Sequence, residues 1–372
     1  MRIVHAKLYT MEGAPIEDGF LRVENGRIAE LGDMRDTSVQ QPDDLNAEGG
    51  WLLPGLVDIH TCLGLKEECS RVEGNDFNES SDPLAPQLRA LDGFYAGDKA
   101  VEMARRAGVT TVVTMSGNMN LIGGQAMAVR LRGNTTGEMC MQACCGIKMA
   151  LGEEPRAAYG AAGKPPLTRM GQVSMLRTLL ASARSALQNG HGTEKQEALF
   201  PLLRGDVPAY FHAQRSDDIE AAVRLSKEFG FRLIIVHGAD SAKMANLLAK
   251  ENVPAVVGAL TLCNARMEAQ NLGPALPAQL YRSGVRFAIS SDHHQSPLYL
   301  LAVSAAFAVR EGLPEAEALR AITLYPAQIA GLADEIGSLR VGKSADMALY
   351  TRHPLSYHAK VRHSWIAGDM LF

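Results

Sequence analysis

His60 and Cys62 are metal-capable side chains one residue apart, at the end of the apolar run Leu53-Pro54-Gly55-Leu56-Val57-Asp58-Ile59. Residues i and i+2 of a strand project from the same face, so an extended Leu56 to Cys62 would offer both to one cation. Taken alone, the pair reads equally as a core strand with a hydrogen-bonded histidine and a small buried cysteine. Further candidates recur at the ends of later apolar runs: Lys148, His212, His237 and Asp292. Each has an ordinary explanation. His212 and Asp292 could cap helices, His237-Gly238 could be a turn, and Lys148 could be a surface charge. Together, imidazole, thiol and carboxylate groups at successive strand ends describe a site for a divalent metal, zinc foremost.

Such convergence needs a fold that gathers strand ends. Apolar strand-like runs near Gly55 to His60, Val109 to Thr114, Gln125 to Leu131, Met139 to Lys148, Val207 to His212, Arg232 to His237, Pro254 to Leu260 and Val285 to Ser290 alternate with helical patterns. Ser216-Asp217-Asp218 opens one helix, with Ile219, Ala222, Val223 and Leu225 on one face and Gly230 at its stop; Asp240 opens a similar pattern through Met244, Leu247 and Leu248. Eight strands alternating with helices predict an α/β fold, a (β/α)8 barrel of the TIM type, whose C-terminal strand ends share one face. The second, third and fourth strands follow one another too closely for full crossover helices. The stretch from Lys148 to Val207 is longer than a simple connection and carries an amphipathic pattern of its own through Met170, Val173, Leu176, Leu180 and Ala183.

Both ends of the chain differ in texture. Residues 1 to 50 and 337 to 372 hold short strand-like runs separated by turn signals, Asn25-Gly26 being a strong hairpin signal. Neither end can bury a sheet face alone, so the reading is a composite β-sandwich of 1–50 with 337–372, flanking a barrel of 51–336.

The 372 residues are 47% hydrophobic and 21% charged, as in an ordinary soluble globule. A net charge of -4 with no basic block argues against nucleic acid as a partner. The N-terminus lacks the apolar stretch of a signal peptide, and no apolar run is long enough to span a bilayer. The expectation is a cytoplasmic protein with a small-molecule substrate and no membrane partner; self-association as a homo-oligomer is left open. The six cysteines, Cys62, Cys69, Cys140, Cys144, Cys145 and Cys263, are expected to be thiols unless a metal claims one.

The run Pro54-Gly55-Leu56-Val57-Asp58-Ile59-His60-x-Cys62 resembles the Pro-Gly-(Leu/Ile)-(Ile/Val)-Asp-x-His-x-His signature of the metal-dependent amidohydrolase superfamily. Residues 318–323 and 336–347 resemble its C-terminal companion segment. Asn78-Glu79-x-x-Asp82-Pro83, Ile122-Gly123-Gly124-Gln125 and Lys148-Met149-Ala150-Leu151-Gly152-Glu153 are similar to the imidazolonepropionase-like and Xaa-Pro dipeptidase-like branch. The resemblance implies a hydrolase of carbon-nitrogen bonds in a cyclic amide, dipeptide-like amide or related small substrate. Its metal ligands would be His60, the position of Cys62, His212, His237 and Asp292, for one or two ions. Lys148 matches the place of a carboxylated, bridging lysine, and Asp292, with His237, the place of the catalytic group that takes the proton of water.

Departures from the pattern sharpen the question. Cys62 stands where the second histidine belongs, Gln214 where close relatives carry histidine, and His294 where a proline is expected. A thiolate is a competent zinc ligand. The alternative is a catalytically degenerate barrel that binds a small molecule through a weakened metal site. Arg169 and Arg215 are candidates for holding a substrate carboxylate, and Glu67, Glu68, Asp76 and Glu79 lie in an acidic loop that would rim the site.

Overall fold

The structure is a computed structural model and describes residues 1–37, 41–68, 71–261 and 266–372; Cys69 and Cys263 lie outside the described residues. Five short strands open the chain: β1 (Arg2–Leu8), β2 (Ile16–Glu24), β3 (Arg27–Asp33), β4 (Leu45–Asn46) and β5 (Trp51–Pro54). Asn25 and Gly26 both take positive φ in the tight turn between β2 and β3, as the Asn-Gly pair predicts. Three strands close the chain: β14 (Met347–Tyr350), β15 (Val361–Ile366) and β16 (Asp369–Met370). All eight form one sheet in the order β16-β15-β14-β5-β1-β2-β3, with β4 beside β1. Ile3, Leu8, Leu21, Ile28 and Leu52 from one end meet Met347, Leu349 and Trp365 from the other in one buried cluster. The link between the ends is β5, antiparallel to β14 and parallel to β1, so the terminal sheet extends past residue 50, the boundary read from sequence.

A second sheet follows: β6 (Leu56–Thr61), β7 (Val109–Thr114), β8 (Ile122–Arg130), β9 (Cys140–Ala150), β10 (Ala209–His212), β11 (Leu233–Val236), β12 (Ala255–Gly258) and β13 (Phe287–Ser290). Neighbours pair in chain order, and the Ser290 hydroxyl donates to the His60 carbonyl at 2.8 Å where β13 comes round to β6. The barrel departs from eight parallel strands at one place. β8 runs antiparallel to both β7 and β9, because the connections around it are too short for a crossover and are made as hairpins.

Alternation along the strands separates two cores. Val57, Ile59, Val113, Ala126, Ala128, Tyr210, Ile234, Val236, Val256 and Ala288 form the barrel interior, closed at its base by Ala327, Ile329 and Leu332. Gly146 of β9 makes room for Tyr210, since a Cβ there would lie 2.4 Å from the phenol ring. The opposite strand faces pack beneath helices such as Arg169–Asn189, in the long β9–β10 connection, and Ser216–Phe229, whose C-terminal Gly230 is left-handed. After β11 the helix starts at Ala245, five residues later than Asp240 predicts; Asp240 instead accepts from the Ser216 backbone N–H and hydroxyl.

Candidate metal centre

At the C-terminal mouth of the barrel, β6 delivers His60, β9 Lys148, β10 His212, and the turns after β11 and β13 deliver His237 and Asp292. His237 and Asp292 sit at φ of 67° and 55°, a backbone region costly for residues with a Cβ. That conformation turns both side chains inward. The Asp292 carboxylate bridges two imidazoles, with His60 Nδ1 3.1 Å from Oδ1 and His237 Nε2 2.9 Å from Oδ2. These three residues are buried, and one donor atom from each lies within 4.8 Å of the others. Among the described residues they are the group that could hold a metal ion.

The ionised Asp292 carboxylate only accepts, so His60 and His237 each direct one N–H to it. His60, held neutral, accepts at Nε2 from Lys148 Nζ at 3.2 Å, and His212 Nδ1 and His237 Nδ1 lie 2.8 Å apart in one hydrogen bond. His212 Nε2 is left buried with no partner. Burial, followed by Lys148, lowers the His60 pKa to about 3; burial and His237 put His212 well below the usual imidazole value. Burial opposes ionisation of Asp292, yet His237 and His60 outweigh it and hold its pKa below the ordinary value. Imidazoles around an ionised carboxylate are a donor set that fits zinc or a similar divalent ion, whose ligand bonds are about 2.0–2.2 Å.

Lys148 is wholly buried and bonds Asn118 Oδ1 at 2.7 Å as well as His60. Burial lowers its pKa to about 8, with Asp292 acting against the shift. Beneath the site, Asp58 Oδ1 accepts from the His60 backbone N–H at 3.1 Å, and Oδ2 accepts from both the N–H and hydroxyl of Ser291 at 2.7 Å. This carboxylate ties β6 to the end of β13 and so sets His60 against Asp292. Its own pKa is raised to about 6 by burial, which the serine bonds only partly offset.

Cys62 does not join the group. β6 ends at Thr61, and its register against β7 shifts between Asp58 and Thr61, so the i, i+2 alternation does not carry from His60 to Cys62. The Cys62 thiol donates to the His293 carbonyl at 2.9 Å and meets His294 Nδ1 at 3.0 Å, while Lys66 Nζ reaches His294 Nε2 at 2.7 Å. Burial pushes the thiol's pKa up, against thiolate formation. Arg169 and Arg215 are also elsewhere than the sequence suggests. Arg169 grips Asp218 at 2.8 and 2.9 Å, Arg215 grips Asp217 at 3.0 and 3.2 Å, and neither lines the cavity over the metal group.

That cavity holds about 340 Å³. Phe77, Asn78, Asn118, Glu154, Gln214, Arg266 and His294 line it with the metal group. Of the acidic loop, Asn78 and its neighbour Phe77 reach the cavity while Glu67, Glu68, Asp76 and Glu79 do not. Asn118, Glu154 and Arg266 are functional candidates that the sequence reading missed. Asn118 follows β7, and strand-end position was the one signal that could have flagged it.

A carboxylate-imidazole cluster that could hold a metal, at the mouth of a closed barrel and beside a sheet made from both termini, points to a class of hydrolase. Residues 51–370 match the amidohydrolase family model, and the chain belongs to that family. It is a hydrolase acting on carbon-nitrogen bonds. It is 30% identical to the imidazolonepropionase of Cupriavidus necator, across 90% of this chain and 85% of that protein. It is 27% identical to amidohydrolase tasK of Hapsidospora irregularis across 95% of this chain, which spans 40% of that longer protein. The crystal structure of an amidohydrolase from Thermotoga maritima superposes with a TM-score of 0.95 at 34% identity, covering 100% of this chain and 99% of that one.

Proposed function

We propose that this chain hydrolyses the C–N bond of a small cyclic amide or dipeptide-like amide, using water activated at a single divalent ion, zinc foremost, held by His60, His237 and Asp292 with His212 alongside. The observation that carries this is the bridging of two imidazoles by the Asp292 carboxylate. When bound, the ion would bring the pKa of water toward neutrality and polarise the scissile carbonyl. Asp292 takes the proton of the attacking water, the new C–O bond forms as the C–N bond breaks, and the proton passes to the leaving nitrogen. His237 holds Asp292 in place for that transfer.

Lys148 is uncarboxylated in this reading. A carboxylated Nζ keeps one hydrogen and could serve only one of Asn118 and His60, whereas an ammonium serves both. A second reading, a small-molecule binder with a degraded metal site, is favoured by the displacement of Cys62 from the ligand group. Elemental analysis separates them. One equivalent of zinc or manganese per chain, and loss of turnover on chelation that the metal reverses, support the enzyme; metal-free protein with no turnover on hydantoins, imidazolones, dipeptides or aminated heterocycles supports the binder. A cytoplasmic setting accords with the four described cysteines, which are all unpaired. Among the described residues, no helix is long and apolar enough to cross a membrane.

A further inference from the structure

Arg266 is the one Lys or Arg among the described residues lining the cavity. Its guanidinium pairs with the Glu154 carboxylate, and the Asn118 side-chain N–H donates to the same carboxylate oxygen at 3.4 Å. Asn118 in turn accepts from Lys148, which bonds His60. A continuous polar chain therefore runs from Arg266 to the metal group. The two partners of the ion pair are not equally placed. The Glu154 side chain is 19% exposed and is braced by Asn118, whereas that of Arg266 is 48% exposed. An exposed guanidinium with five donors can take a second carboxylate as a two-pronged partner.

We propose that Arg266 anchors a carboxylate of the substrate, exchanging Glu154 for it at the cavity wall. The proposal rests on the hydrolase reading and narrows its substrates to acidic amides. Exchange costs little, because a half-exposed ion pair is weak and Glu154 keeps its bond to Asn118. The other carboxylate lining the cavity, Asp292, is committed to His60 and His237. A cationic substrate would have to draw Glu154 from Arg266 while lying against that guanidinium, so the same geometry disfavours it.

The test uses the metal-loaded protein and matched probes that differ only in charge: hydantoin-5-acetate against hydantoin-5-acetamide, and dipeptides against their C-terminal amides. Affinity is read by calorimetry, and KM and kcat where a probe turns over. The acids should bind about 10-fold more tightly or better. Arg266→Gln should erase the preference, acting on KM more than kcat, and Arg266→Lys should restore part of it. Glu154→Gln, which frees Arg266 of its partner, should tighten the acids further. Equal binding of acid and amide, binding by none of the acids, a preference that survives Arg266→Gln, or weaker acid binding in Glu154→Gln would each overturn the proposal. Metal content and turnover of neutral amides report separately on the hydrolase reading: a metal-loaded protein that cleaves neutral amides without charge preference refutes the Arg266 anchor alone.

Discussion

His294 Nδ1 lies 3.0 Å from the Cys62 thiol, and Lys66 Nζ reaches Nε2 of the same imidazole, so the side chain in the position of the family's second histidine is engaged beside the metal group and not in it. Cys62→Ala should therefore keep its metal content while losing about 1–2 kcal/mol of stability from a small cavity and an unpaired His294 nitrogen. Cys62→His should not gain metal and should lose about 1–3 kcal/mol by overpacking. Elemental analysis and thermal melts of both variants check this. Metal loss in the alanine variant would reinstate the thiol as a ligand.

Asp292→Asn keeps the shape of the side chain and removes its charge and its basicity. The expected result is a folded protein with turnover reduced by at least about 10²–10⁴-fold, the range for loss of a positioned base. Steady-state kinetics with metal content measured on the same sample decide it, and near-normal turnover in metal-loaded Asp292→Asn would remove Asp292 from the proposed mechanism.

Arg169 and the buried Asp218 form a strut between the helices Arg169–Asn189 and Ser216–Phe229. Arg169→Leu leaves the Asp218 carboxylate buried without its partner and should cost about 2–3 kcal/mol, below the ~3–5 kcal/mol of a fully buried pair because Arg169 is partly exposed. Burial already raises the Asp218 pKa, against the effect of Arg169. A raised native pKa means that the folded state binds the proton more tightly than the unfolded one. Removing Arg169 raises that pKa further, so the loss should be full above the variant's Asp218 pKa and shrink as pH falls from there toward the wild-type value. Urea melts of both proteins at descending pH test the sign.

Deleting residues 1–50 or 337–372 should give insoluble protein. Either cut strips one side from the cluster in which Ile3, Leu21 and Ile28 face Met347, Leu349 and Trp365. Sedimentation and turnover of both truncations check it, and a soluble, active product would show that the barrel does not need the composite sheet.

How much of this was legible in the chain follows from which forces are local. All eight barrel strands lie where apolar runs place them, and His60, Lys148, His212, His237 and Asp292 lie at or near strand ends, because a strand buried on both faces must be apolar along its length and polar where it leaves the core. The Asn25-Gly26 hairpin and the Gly230 stop are local as well, since they depend on the φ a single residue can adopt. Three outcomes depend on the assembled barrel. The antiparallel course of β8 depends on which neighbours its short connections reach. The direction of Cys62 depends on where the β6–β7 ladder shifts register, which no periodicity in the sequence encodes. The partners of Arg169 and Arg266 are chosen by distance across separate helices and loops, whereas Arg215 takes Asp217 two residues along the chain: Coulomb attraction selects the nearest carboxylate in space, and the sequence orders those groups only along the chain.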